Sequence, residues 1–241
     1  MKYKKIGSRQ IGISKPAVVC VVDDTFSNKE LKKVVSLGTE IVEARIDRFK
    51  KIDIGYVRER LKNIKQITNL PLIITIRHKK EKQERDRHNL SEEERLQIFK
   101  DIIPIGDAVD IELNTKIVDE VIRFTRDKKK ISIISYHNFH TTPNEFILNR
   151  ILKNALNKQA DLIKICTFAR TKNDVINLLL FTYKNKDRDL VTMCMGRQGM
   201  VSRIIFPLFG SYLTYGFLKR PVAPGQYDIK TLKDLIEKLS F

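Results

Sequence analysis

The chain has 241 residues, 42% of them hydrophobic, and a formal net charge of +17 from 46 Lys and Arg against 29 Asp and Glu. That length suits one large α/β barrel or two small domains with a substantial core. No apolar stretch approaches the ~20 residues that span a bilayer, and Met1-Lys2-Tyr3-Lys4-Lys5-Ile6 lacks the apolar segment of a secretion signal, so a cytoplasmic protein without membrane contact is expected.

Residues 3–15 precede the first long apolar run and read as a small hairpin under the floor of the main fold. From there strand-like runs alternate with amphipathic stretches of helical length. The predicted pairs are strand 17–22 with helix 28–37, 40–45 with 54–66, 72–77 with 92–103, and 108–113 with 116–126. They continue with 131–137 and 143–157, 162–166 and 172–185, 190–195 and 200–209, and 212–217 and 230–239. Helix starts are marked by a Ser or Thr three residues before an acid, a pattern that satisfies free first-turn amides: Ser27 with Glu30, Ser91 with Glu94, Thr142 with Glu145, and Thr171 with Asp174. Pro143 fits the first helical position after Thr142. Eight strands each followed by a helix, with no linker between halves, predict a single (β/α)8 TIM barrel over residues 1–241, whose site lies at the C-terminal strand ends. A doubly wound open sheet is the alternative, but Asp23-Asp24-Thr25-Phe26 stands where its phosphate-binding glycines would be.

Charge and thiols narrow the function. Basic residues are interleaved with acids, as in Lys79-Lys80-Glu81-Lys82-Gln83-Glu84-Arg85-Asp86-Arg87, which describes a solvated surface rather than a nucleic-acid face with interleaved aromatics. No specific nucleic-acid partner is expected, although the positive excess would draw in a small anionic substrate. Cys20, Cys166 and Cys194 share no ligand spacing and read as reduced core thiols.

The informative run is Asp161-Leu162-Ile163-Lys164-Ile165-Cys166, a buried strand with one amine inside it. Desolvation would pull that amine towards neutrality and make Lys164 a Schiff-base former. The alternative is a lysine that snorkels to the rim or pairs with a carboxylate such as Asp161. Further polar residues gather at the predicted barrel mouth. Glu43, Arg45 and Asp47 share one strand face by the two-residue period, Arg77 ends the third strand and His137 the fifth. Glu43 with Arg45 could equally be a rim ion pair, and His137 a satisfied core histidine. His137 and His140 lack an evident third metal ligand. Met193 and Met195 share a strand face and read as core with substrate contact secondary. The loops 78–90 and 218–227 are long enough to close over a ligand.

Six motifs in order carry a resemblance: Glu43-Ala44-Arg45-Ile46-Asp47, Thr75-Ile76-Arg77, Ser135-Tyr136-His137-Asn138-Phe139-His140, Ile163-Lys164-Ile165, Gly199-Met200-Val201-Ser202-Arg203 and Ala223-Pro224-Gly225-Gln226. Together they resemble the type I 3-dehydroquinate dehydratases, Schiff-base enzymes of the shikimate pathway. The resemblance implies a homodimeric (β/α)8 barrel with no metal or organic cofactor, acting on 3-dehydroquinate. By it Lys164 forms an imine with the C3 ketone, His137 moves protons, and Glu43 orients and tunes His137. Arg45 and Arg77 hold hydroxyls, Glu81 fixes the lid, Arg203 clamps the carboxylate, and Gln226 reaches in from the last loop, with Met195 and Ala223 also against the substrate. Two positions depart from the family pattern: Val222 stands where a serine is common, and Lys82-Gln83 follows Glu81 where two glycines are common. A class I aldolase on the same barrel is the second enzyme reading, disfavoured by the Glu43-Arg45 and Arg203 pattern and by the lack of a phosphate-binding glycine loop.

Overall fold

A computed structural model of the chain describes residues 3–81 and 87–239. The predicted hairpin is present, as β1 (Tyr3–Ile6) paired antiparallel with β2 (Arg9–Gly12). The first half of the chain then gives β3 (Ala17–Val22), α1 (Asn28–Ser36), β4 (Ile41–Arg45), α2 (Ile54–Thr68), β5 (Leu72–Thr75), α3 (Glu92–Ile102), β6 (Ala108–Glu112) and α4 (Val118–Asp127). The second half gives β7 (Ile131–His137), α5 (Glu145–Asn157), β8 (Leu162–Phe168), α6 (Lys172–Lys184), β9 (Leu190–Met195), α7 (Ser202–Leu208), β10 (Leu213–Gly216) and α8 (Ile229–Leu239).

Strands β3 to β10 form one parallel sheet in the order β10-β3-β4-β5-β6-β7-β8-β9. The seam between β9 and β10 is joined by fewer bonds: Tyr212 N–H donates to Leu190 O at 2.8 Å, and the Ser211 hydroxyl accepts from Thr192 N–H at 2.9 Å. The sheet is thus a nearly closed (β/α)8 barrel, as the alternation predicts.

Period-two alternation sorts every strand into two faces. Val42, Ile74, Val109, Ile134 and Ile163 pack outward against the helices, while Ile41, Ile73, Ala108, Ile133 and Leu162 fill the lower barrel interior. Ile6 and Ile11 of the hairpin are fully buried against this lower layer and close the floor. One step up each strand the inward residues turn polar, with Glu43, Thr75, Asp110, Ser135 and Lys164 all buried. An apolar base therefore supports a charged upper half.

Several boundaries differ from the sequence reading. The helix after β7 starts at Glu145 with Asn144 as its cap, accepting from Ile147 N–H at 3.0 Å. The predicted Thr142 cap and the first-turn Pro143 are corrected accordingly: the Thr142 hydroxyl meets Thr167 at 2.8 Å and Phe168 O at 3.1 Å instead. The capping boxes at Ser27, Ser91 and Thr171 form as expected. A 3-10 turn over Gln198–Val201 precedes α7, so that helix begins at Ser202 rather than Met200. Strand β5 ends at Thr75 rather than Arg77, because the next amides leave the ladder for carboxylates. Arg77 N–H donates to Asp47 Oδ1 and His78 N–H to Glu112 Oε1, each at 2.9 Å. The loop predicted over 78–90 is described only in part, since its residues 82–86 fall outside the described residues.

Candidate active site

One pocket opens at the C-terminal end of the barrel, and all of the sequence-predicted site residues line it: Glu43, Arg45, Arg77, Glu81, His137, Lys164, Met195, Arg203, Ala223 and Gln226. They come from β4, β7, β8, β9, α7 and the loops after β5 and β10. Val21, Phe139, Cys166, Met193, Tyr215 and Val222 complete the lining.

Lys164 projects inward from the middle of β8 and is 4% exposed. Its ammonium donates to Asp110 Oδ2 at 2.9 Å, to Tyr215 Oη at 3.1 Å and to Glu43 Oε2 at 3.5 Å. Burial alone would lower its pKa, but Asp110 and Glu43 outweigh burial and hold it well above the usual lysine value. The expectation of an amine pulled towards neutrality is corrected on this point: desolvation is present, yet two carboxylates compensate it. The paired-lysine alternative is realised with a different partner. Asp161 instead accepts from the Ser132 N–H and hydroxyl, both at 2.9 Å.

Asp110 organises the charged layer. Its Oδ1 accepts from the Ser135 hydroxyl at 2.7 Å and lies 3.0 Å from Arg77 Nη1, while Oδ2 takes Lys164. Burial would raise its pKa, but Arg77 and Lys164 hold it far below the ordinary carboxylate range. Arg77 also donates to Glu112 Oε1 at 3.0 Å, and Glu112 in turn pairs with the fully buried Arg95. Arg45 binds Asp47 through two bonds, Nε to Oδ1 at 3.0 Å and Nη2 to Oδ2 at 2.7 Å, so the ion pair on that strand joins Arg45 to Asp47 rather than to Glu43.

His137 stands at the end of β7, directly across the ladder from Cys166 of β8. Its Nδ1 lies 2.7 Å from Glu81 Oε2, so Glu81 rather than Glu43 is the carboxylate in contact with the imidazole. Burial and the Arg77 charge push the His137 pKa down, but Cys166 and Glu81 outweigh them and raise it to about 9. Cys166 moves the opposite way: burial would raise its thiol, and His137, Lys164 and Arg203 bring it below the usual value. Cys20 and Cys194, reduced and buried as predicted, are pushed up to about 12 by burial.

Arg203, on α7, is 1% exposed. Its Nε donates to Gly225 O at 2.8 Å and its Nη1 contacts Met193 Sδ at 3.4 Å, but Nη2 has no hydrogen-bond partner. Burial without a facing carboxylate lowers its pKa to about 10. An unmatched guanidinium inside a pocket is a receptor for an anion. Gln226 is held by its own loop, its Oε1 accepting from Val222 N–H at 2.6 Å and Ala223 N–H at 3.2 Å. Among the described residues no group of three His, Cys, Asp or Glu could hold a metal ion, and no helix is long and apolar enough to cross a membrane.

A pocket with a charged lysine on its inner wall, a neighbouring imidazole and an open arginine supports imine chemistry on a small carboxylate. Comparison with known proteins decides the lineage. The family described as Type I 3-dehydroquinase matches residues 17–240. The chain belongs to that family. The enzyme is 35% identical over 212 residues to the 3-dehydroquinate dehydratase of Methanocella arvoryzae, covering 88% of this chain and 93% of that one. It is 32% identical over 218 residues to the Aquifex aeolicus enzyme of the same name, covering 90% and 95%. The type I 3-dehydroquinate dehydratase of Clostridium difficile, solved with covalently modified comenic acid, superposes with a TM-score of 0.89 at 30% identity over 99% of this chain and 98% of its own. The Geobacillus kaustophilus enzyme gives a TM-score of 0.91 at 27% identity, over 99% and 96%. This dehydroquinase is accordingly a hydro-lyase, and its reaction places it in the shikimate pathway.

Four residues of the site and its support escaped the sequence reading. Asp110 and Glu112 interrupt the apolar strand Ala108–Glu112 two residues apart, the same signal that singled out Lys164. Tyr215 has no such mark, since tyrosine is ordinary in a strand. Cys166 lies two residues beyond Lys164 and so shares its inward face.

Proposed function

We propose that Lys164 is the imine-forming residue through which this dehydroquinase turns 3-dehydroquinate into 3-dehydroshikimate and water. The observation that carries the proposal is the buried Lys164 ammonium, 2.9 Å from Asp110, in one pocket with His137 and the open Nη2 of Arg203. Attack on the C3 ketone requires the neutral amine, so Lys164 first yields a proton to solvent water. The carboxylates that oppose this loss are the ones that stabilise the protonated imine, which carries its positive charge on the same nitrogen. The site is therefore matched to the reactive intermediate more than to the free amine.

The protonated imine withdraws electrons from C2 and acidifies its C–H bond. His137 enters as an imidazolium, gives its proton to the water that leaves C3, and in its neutral form takes the proton from C2. It then returns that proton to the hydroxyl departing from C1. Glu81, 2.7 Å from Nδ1, fixes the ring so that its other nitrogen faces the substrate. Glu43 sits beside the reacting nitrogen and compensates its charge there. Arg203 takes the substrate carboxylate, with Gln226, Arg45 and Arg77 towards the hydroxyls, and Met195 and Ala223 supply the apolar walls. No metal or organic cofactor enters any of these steps.

The same proposal includes a cytoplasmic homodimer. Ile176, Leu180 and Tyr183, each 50% exposed at helical spacing on α6, and Phe146 on α5 offer apolar surface for a second copy to cover. Sedimentation as a monomer at working concentration would remove that part.

Borohydride reduction in the presence of 3-dehydroquinate, followed by peptide mass spectrometry, tests the central claim. A mass increase confined to the peptide containing Lys164, absent from Lys164→Ala, is the expected result. A folded wild-type enzyme that produces the conjugated enone absorbance while no adduct forms at Lys164 would overturn it.

A further inference from the structure

Tyr215 has no part in the proton transfers assigned to His137, yet its hydroxyl is one of the three groups that touch the reacting nitrogen. It reaches the centre from β10, across β9 from Lys164, and is 4% exposed. The ammonium also lies 4.3 Å from its ring centroid. Among the described residues Lys164 is the only hydrogen-bond partner of that phenol. A buried tyrosine whose hydroxyl is spent on a single reactive amine asks for a chemical explanation.

We infer that Tyr215 is a further catalytic residue, whose phenol relays a proton from the Lys164 nitrogen to the C3 oxygen during imine formation. This rests on the reading of Lys164 as the imine former. When the neutral amine adds to C3, the C–N bond forms and the electron pair of the C=O π bond moves to oxygen. The adduct carries N⁺H₂ and O⁻ on one carbon. Direct transfer of a proton between them must pass through a four-membered ring. Through the phenol the ring has six members: the nitrogen gives a proton to Tyr215 Oη as Tyr215 gives its own to the C3 oxygen. Tyr215 ends as it began, and the adduct becomes a neutral carbinolamine. The imidazolium of His137 then protonates the new hydroxyl, the nitrogen lone pair forms C=N as the C3–O bond breaks, and water leaves.

The alternatives near the nitrogen serve this transfer poorly. Asp110 is bound by Arg77 and Ser135 as well as by Lys164, and Arg77 with Lys164 holds it ionised, so it does not take up a proton to pass on. Burial and the Glu43 charge raise the Tyr215 pKa well above its ordinary value, so the phenol stays neutral at working pH and keeps a proton to give. A relay that gives and takes in one motion needs a group of that kind.

Tyr215→Phe keeps the ring and removes the hydroxyl. Rapid quenching into borohydride measures how fast the Lys164 adduct forms, and 3-dehydroquinate deuterated at C2 reports whether proton abstraction limits turnover. The variant is expected to form the adduct about 100-fold more slowly, with the deuterium effect on kcat falling towards unity as imine formation becomes limiting. Adduct formation at the wild-type rate, or a slower kcat with the isotope effect unchanged, would show a merely structural tyrosine and overturn the inference. Wild-type enzyme that turns over without any Lys164 adduct would instead defeat the lysine reading, a distinguishable failure. Should Tyr215→Phe not fold, ring fluorination of Tyr215 acidifies the phenol at nearly constant shape. A changed rate of adduct formation is then expected, and an unchanged rate overturns the relay.

Discussion

Asp110 and Lys164 stand on strands separated by β7 and meet at 2.9 Å inside the barrel, forming the ion pair on which the charged layer is built. Neither is exposed enough for solvent to replace the other. Their attraction explains why a desolvated lysine is nonetheless held as an ammonium, and in the proposed mechanism it would equally stabilise a cationic imine.

Asp110→Asn tests that relationship. Arg77 and Lys164 would both lose a buried counter-charge, and breaking such a pair costs about 3 kcal/mol. The Lys164 pKa would fall because the largest opposing influence to burial is gone. Denaturant unfolding should show the lost stability. The pH dependence of adduct formation should show its amine limb displaced to lower pH, and a limb that stays in place would mean that Asp110 does not govern the amine.

A second prediction concerns His137, whose pKa is raised to about 9 by Cys166 and Glu81 against burial and the Arg77 charge. The proposed mechanism needs the imidazolium together with a neutral Lys164, whose pKa lies higher, so kcat/KM should rise with pH below about 9 and level off there. Glu81→Gln and Cys166→Ser each remove one of the raising influences, and each should bring that break in the profile to lower pH. The same raised value makes a stability statement. A group that binds its proton more tightly when folded stabilises fully below its unfolded pKa of about 6.5 and loses that contribution as pH climbs towards 9. His137→Asn should flatten the wild-type stability profile across this window.

The barrel was legible because its inward and outward faces alternate within short apolar runs, a local property that β3 to β10 display without help from distant residues. Lys164 was legible for a related reason: a cation in such a run, as in Leu162–Phe168, violates the pattern. What surrounds that lysine was not legible. Asp110 lies 54 positions away and Tyr215 51 positions away, and closure of the barrel alone brings them together. Burial without partners predicts a depressed amine, and the sign reversed when the partners appeared. The Glu81–His137 contact spans 56 positions and depends on the course of a loop. Thr142 failed as a cap for a different reason: an Asn stood two residues closer to the helix, and the hydroxyl found Thr167 on β8.

Gly225 links the last loop to the arginine. Its φ of +77° lies in the left-handed region, and a Cβ there would run into the Gly196 carbonyl. Its own carbonyl accepts from Arg203 Nε at 2.8 Å, and Gly196 N–H donates to Pro224 O at 3.2 Å. Gly225→Ala should cost about 1–3 kcal/mol of stability and raise KM by releasing Gln226 and Arg203 from their places. Saturating substrate should still give the borohydride adduct at Lys164, since nothing on β8 is disturbed. Loss of the adduct at saturation would mean that the loop supports the chemistry itself.

Arg203 carries the prediction with the most to lose, because it sets stability against binding. Its guanidinium is 1% exposed, its Nη2 is unsatisfied, and burial depresses its pKa to about 10, all marks of a charge kept at a cost until an anion arrives. Arg203→Met removes that charge while filling much of the same volume. The ligand-free protein should gain about 1–2 kcal/mol in unfolding free energy. Substrate binding should weaken by roughly tenfold to a hundredfold, the worth of a charge-assisted hydrogen-bonded pair. Imine formation at saturation should persist, because Lys164 and His137 keep their surroundings. Should the variant instead lose stability and bind 3-dehydroquinate as before, Arg203 would be a structural post between Met193 and Gly225, and the substrate carboxylate would have to be received elsewhere.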